Sequence, residues 1–273
     1  MDPRFIIFSL PRCGSTTLLR SLNLHRDIRC LYEPSFIGVS TRVGLREALR
    51  DCWTQGDGLK HVYDFMGYPF IPDQRPQLDE LRQDVIERWL QYNAWLLEDA
   101  APRVIFLRRH NLLRRTVSEL LGWMTDLWGP HFADPARQDE GDRYREQIER
   151  LAPISLDPDL VAWYLAHTSP VAEKLRSVLA KSGNVALDLW FEDLFRDDMS
   201  SDERRKEFGR VLSFLEREPL PEASHATLDT LLDPRCSQLN SNGTFARIGN
   251  LTYIEERFGG DATGWLLRDR GEF

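Results

Sequence analysis

The sequence has little of what would place it in several large classes. Its four cysteines, Cys13, Cys30, Cys52 and Cys236, form no Cys-x-x-Cys pair and share no Cys/His spacing suited to a metal, so they read as free thiols in a reducing compartment. No apolar run approaches the ~20 residues of a membrane span, and Phe5 to Leu10 is too short for a signal-peptide core. A soluble, cytoplasmic chain without a membrane partner is expected. Positive charge is not in excess: 35 Lys and Arg stand against 43 Asp and Glu, for a net charge of −8. That argues against a nucleic-acid binder, which needs a basic surface to displace counterions. No repeat, low-complexity tract or linker divides the chain, so residues 1–273 read as one domain, monomeric or homodimeric.

What is present is an alternation of short apolar runs with longer helical stretches, the pattern of an α/β fold with a parallel sheet covered by helices on both faces. Strands are predicted at Phe5–Phe8, Ile28–Tyr32, Leu59–Tyr63, Val104–Leu107 and Val185–Leu189. Helices are predicted at Thr16–Leu24, Leu45–Trp53, Leu78–Leu97, Leu112–Leu127, Leu160–Leu179 and Asp202–Leu215. Pro170 inside the fifth predicts a kink or a division into two helices. Residues 129–158, polar and rich in Pro and Gly, read as an insertion acting as a lid or substrate wall, or as a plain surface excursion.

The first strand breaks into Leu10-Pro11-Arg12-Cys13-Gly14-Ser15-Thr16-Thr17 before a helical pattern. Free backbone N–H groups, hydroxyls and a cation gathered at a helix start make an anion site. A nucleoside-triphosphate loop carries a Lys after its last Gly that reaches the β- and γ-phosphates. Here Arg12 precedes Gly14 and no Lys follows, so the expected anion is not the γ-phosphate of ATP.

Ligands of open α/β sheets bind beyond the carboxyl ends of the strands, so the residues that end each strand form a set. The first strand ends in the Arg12 to Thr17 loop, and the second in Leu31-Tyr32-Glu33-Pro34. The third ends near Lys60-His61, and the fourth in Arg108-Arg109-His110-Asn111, followed by a helix that carries Ser118. Together they offer two anion subsites, a carboxylate and an amine.

This set resembles the sulfotransferases that use 3′-phosphoadenosine 5′-phosphosulfate (PAPS). Pro11 to Thr17 is similar to their 5′-phosphosulfate loop, in the Arg-containing form of carbohydrate-type and bacterial members, with P-loop-like architecture. Leu31-Tyr32-Glu33-Pro34 is similar to the stretch that bears the proposed base. Leu107 to Ser118 resembles the 3′-phosphate element. Leu187 to Leu194, with the following helix ending Phe214-Leu215, resembles the family's late strand and helix.

The resemblance implies transfer of a sulfuryl group from PAPS to a hydroxyl of a carbohydrate or small-molecule acceptor, with release of PAP and no metal requirement. It assigns the 5′-phosphate to Arg12, Cys13, Gly14, Ser15, Thr16 and Thr17. The 3′-phosphate falls to Ser118 and to Arg109, or to Arg108. Glu33 is the implied base, with His61 as the rival, and Lys60 the implied contact to the sulfuryl group or the bridging oxygen. Strand alternation lets only one of Lys60 and His61 face the cofactor. The C-terminal Arg-Lys-Gly loop of cytosolic members is absent. Residues 236–273 are expected to close on the cofactor in its place, with Arg247 on the phosphate. Trp123, Trp128, Phe132, Trp163 and Tyr164 are candidates for an acceptor wall or for core. The open alternatives are a P-loop kinase-like phosphotransferase and a nucleotide-binding module without catalysis.

Overall fold

The computed structural model describes residues 4–34, 41–63, 83–125, 146, 150, 153–196, 198–234, 245 and 247–267. Five strands, β1 (Phe5–Ser9), β2 (Cys30–Leu31), β3 (Gly58–Val62), β4 (Arg103–Arg108) and β5 (Val185–Trp190), form one parallel sheet in the order β2-β3-β1-β4-β5. Every residue of β1 is buried, as befits the central strand of a sheet covered on both sides. Burying side chains such as Ile6, Ile7 and Phe8 contributes roughly 1.5–3 kcal/mol each.

The helices are α1 (Ser15–Leu22), α2 (Arg42–Gln55), α3 (Gln83–Asp99), α4 (Leu112–Thr125), α5 (Pro158–Ser182), α6 (Phe191–Phe195), α7 (Ser201–Phe214), α8 (His225–Leu232) and α9 (Leu251–Phe258). From β1 the chain crosses toward the β2 edge through α1, whereas the β3-to-β4 connection runs the other way. Right-handed crossovers therefore put α1 and α3 on opposite faces. Contacts agree: α1 packs on α8, which meets α7, while α3 packs on α5, which meets α4.

The five expected strands and the α/β class are thus present. Pro170 lies within a single helix, α5, rather than dividing two. Expected residues 78–82 and 126–127 of the third and fourth helices lie outside the described residues. So does most of the 129–158 insertion; of its described end, Ile154 makes a bridge to Ile248. The short α6 and helices α8 and α9 carried no sequence expectation. Cys13, Cys30 and Cys52 are free and buried.

Between α4 and α5 the interior holds an ion pair, Arg115 with Glu119, each side chain 1% exposed. Arg115 also donates to Thr168 Oγ1 at 3.0 Å. The pair places a charged tie in the layer just beneath the carboxyl end of the sheet, where an uncompensated charge would be costly.

Candidate active site

The loop after β1 is shaped by two residues with left-handed backbone. Arg12 has φ 63° and Gly14 has φ 82°. Gly14 is required twice over: its φ disfavours a side chain, and a Cβ there would come within 2.6 Å of Phe195 and 3.2 Å of Phe191. Helix α6, which supplies both phenylalanines, thus backs the loop. No acidic residue occupies the first turn of α1, and its opening amides have no i−4 carbonyl. Among the described residues no group caps these amides, so this N-terminus suits an anion in geometry and charge. Cys13 is wholly buried, and burial pushes its thiol up to about 12. It offers the site its backbone amide, not a thiolate.

Three strand ends converge on this loop. From β3, the Lys60 ammonium donates to Thr16 Oγ1 at 2.8 Å and forms an ion pair with Glu33 from the turn after β2. Lys60 is only 2% exposed, while the Glu33 side chain is 41% exposed. Buried cation and accessible carboxylate suit one group that fixes charge and one that meets incoming ligand. Glu33, like Arg12, has positive φ, 34°. Such backbone is uncommon outside glycine, and its cost is tolerated where the surroundings determine it.

From β4 and α4 come the other partners. Arg12 Nε donates to Ser118 Oγ at 2.9 Å. Arg109 Nη1 donates to the Arg12 carbonyl at 3.0 Å, and its guanidinium lies 4.0 Å over the Phe191 ring. Arg108 is directed elsewhere. It bonds Glu173 at 2.9 Å and Asp188 at 3.3 Å and lies 4.1 Å over Trp190. Of the two adjacent arginines, Arg109 joins the loop and Arg108 joins the β5 and α5 carboxylates. Both line a cavity of about 210 Å³ with Leu10, Arg115, Trp190 and Ala262.

Lys60 and His61 are successive residues of one strand and point to opposite faces. Lys60 faces the loop, whereas the His61 ring bonds Asn93 Oδ1 of α3 at 2.8 Å and lies 5.4 Å from the Phe8 ring. Burial pushes its imidazole down to about 4. Because the unfolded chain protonates it more readily, this histidine adds stability above the ordinary pKa near 6.5. That contribution fades as pH falls toward 4. His61→Gln, which retains a partner for Asn93, should flatten the pH dependence of the urea midpoint between pH 7 and 4. A loss on the order of 1–3 kcal/mol should disappear from that interval. An unchanged pH dependence in the variant would contradict the assignment.

Two supports had no sequence expectation. The Glu192 carboxylate accepts from the backbone N–H groups of His110, at 3.0 Å, and Asn111, at 3.2 Å, fixing the turn behind Arg109. Asn111 caps α4 through Arg114 N at 2.8 Å and donates to the Trp265 carbonyl at 2.7 Å. An Asn just before a helical run is a readable cap signal; Glu192, remote in sequence, carries none. The C-terminal turn also accepts from Leu113 N through the Thr263 carbonyl at 2.7 Å. The described part of residues 236–273 thus docks beside the Arg109 turn. Arg247 meets α5's leading segment through its carbonyl, bonded by Ile154 N at 2.8 Å. Its side chain makes no hydrogen bond or ion pair to Arg12, Arg109 or Ser118 among the described residues. Tyr164 belongs to the core; Trp128 and Phe132 lie outside the described residues.

The arrangement can hold two anionic groups, one at the α1 N-terminus and one near Arg109 and Ser118, with a carboxylate and an ammonium beside the first. No family model matches the chain, and no curated protein matches it.

Proposed function

We propose that the protein is a PAPS-dependent sulfotransferase that acts on a hydroxyl of a carbohydrate or small-molecule acceptor. The observation that carries this reading is the convergence of Arg12, Lys60, Glu33, Arg109 and Ser118 on one glycine-turned loop, with no lysine at the position that serves a γ-phosphate. The fit of a phosphosulfate rests on the open, acid-free N-terminus of α1 with cations on either side of it.

PAPS supplies an activated sulfuryl group. Arg12, the amides of Cys13 to Thr16 and the hydroxyls of Ser15 and Thr16 hold the 5′-phosphate and stabilise the charge that grows on the bridging oxygen. Thr17 completes the helix turn that carries these groups. Arg109 and Ser118 take the 3′-phosphate; a planar guanidinium suits a phosphate's oxygens. Glu33 accepts the proton of the acceptor hydroxyl as the acceptor oxygen bonds to sulfur. The bond from sulfur to the bridging oxygen breaks, and its electron pair leaves with PAP. Lys60 steadies the sulfuryl oxygens. Transfer of this kind depends mainly on position and electrostatics.

Calorimetry with PAP, ATP and adenosine 5′-phosphosulfate tests the class. PAP should bind tightly, adenosine 5′-phosphosulfate more weakly, and ATP least. Preference for ATP would return the protein to the kinase-like reading, and no binding of any of the three would reject both.

A further inference from the structure

A lysine ammonium has three N–H donors. In Lys60 the first meets Thr16 Oγ1 at 2.8 Å and the second the Glu33 carboxylate. The Tyr32 ring lies beside them: the Lys60 nitrogen is 4.2 Å from its centroid. Tyr32 and Glu33 are neighbours in sequence and would point apart in an extended chain. The left-handed turn at Glu33, φ 34°, lets both reach one nitrogen. Tyr32 itself stays 53% exposed, an aromatic residue kept at the surface beside a buried cation.

We propose that Tyr32 is a positioning residue whose ring holds the Lys60 ammonium in place when Glu33 takes up a proton. Burial disfavours a charged lysine unless partners offset it. Once Glu33 has taken a proton it no longer neutralises Lys60. Thr16 and the ring then remain as its protein partners, and the attraction of a ring face for a cation does not depend on any proton. Among the described residues, the titratable groups near the ammonium are Glu33 and Tyr32 from the turn after β2, Cys30 on β2, and His61 on β3. Burial pushes the Cys30 thiol up and the His61 imidazole down. Both are uncharged near neutral pH, which leaves Glu33 as the anionic partner in this group.

The role in turnover rests on the sulfotransferase reading; the effect on Lys60 does not. The full chain with Tyr32→Phe, Tyr32→Leu or Tyr32→Met is followed by NMR order measurements on the Lys60 ε-methylene, together with PAP calorimetry and PAPS turnover. Without the ring the ammonium is held less firmly, so in both non-aromatic variants the ε-methylene should become more mobile and kcat should fall roughly three- to tenfold while PAP affinity holds. Tyr32→Phe should stay within about twofold of the parent. An ε-methylene unchanged in the Leu and Met variants overturns the proposal. So does a Phe variant altered as far as Leu, which would credit the hydroxyl instead. If PAP binds no variant and not the parent, the sulfotransferase reading fails while the mobility of Lys60 still decides the role of the ring.

Discussion

Glu33→Gln should lower turnover of PAPS by about 10²- to 10⁴-fold, the range expected when a positioned general base is removed, while PAP affinity stays within a few-fold. The two effects separate because the ion pair of Glu33 and its proposed role as base draw on different properties of the side chain. Its carboxylate is the ion partner of Lys60, and a glutamine of the same shape still offers that ammonium a carbonyl oxygen. What the amide lacks is the capacity to take a proton from an acceptor hydroxyl at neutral pH. Loss of both turnover and PAP affinity would mean that Glu33 acts through the loop, by holding Lys60 against Thr16. Near-normal turnover would remove it as the base. The His61→Gln variant is the companion measurement: with its ring bonded to Asn93 on the far side of β3, turnover should stay within a few-fold.

Arg109→Ala should weaken PAP by roughly ten- to a hundredfold, consistent with ~1.5–3 kcal/mol for hydrogen bonds to a charged group. Adenosine 5′-phosphosulfate, which lacks the 3′-phosphate, should lose only a few-fold. Some loss for the second ligand is expected because Arg109 also donates to the Arg12 carbonyl, so the variant frees part of the 5′ loop. The ratio of the two losses therefore carries the assignment, and equal losses would reject it. Arg108→Ala is the control in the same strand end. Its partners are Glu173, Asp188 and the Trp190 ring, so the melting temperature should fall while PAP affinity changes little. Calorimetry on the two variants, at fixed salt to hold screening constant, distinguishes them.

Both predictions depend on supports that differ in how visible they are along the chain. The Arg12 to Thr17 turn is local: a buried run, a Pro, a Gly and hydroxyls before an apolar period announce a strand-to-helix turn. The strand ends that gather Glu33, Lys60 and Arg109 follow once five parallel strands are recognised, since their carboxyl ends share one rim. The reason for Gly14 was only half legible. Sequence shows a turn glycine, but Phe191 and Phe195 close over it from an element about 180 residues away. The fixing of the Arg109 turn by Glu192 was not legible at all, because a carboxylate that caps backbone amides across such a separation leaves no periodic trace.

The sequence alone determined the α/β class, the five strands, the turn that follows the first of them, and the fact that Lys60 and His61 must face opposite ways, as must Arg108 and Arg109 if the strand continues. Those follow from local composition and from a period of two. The tertiary structure decided which member of each pair faces the loop: parallel pairing of β3 with β1 turns Lys60 toward Thr16 and His61 toward Asn93, and Glu173 of α5 and Asp188 of β5 supply the carboxylates that draw Arg108 away. The physical reason is that alternation fixes the difference between neighbours but not its sign. The sign is set by register against other strands and by the charges those strands bring, and neither is written next to the residues it orients.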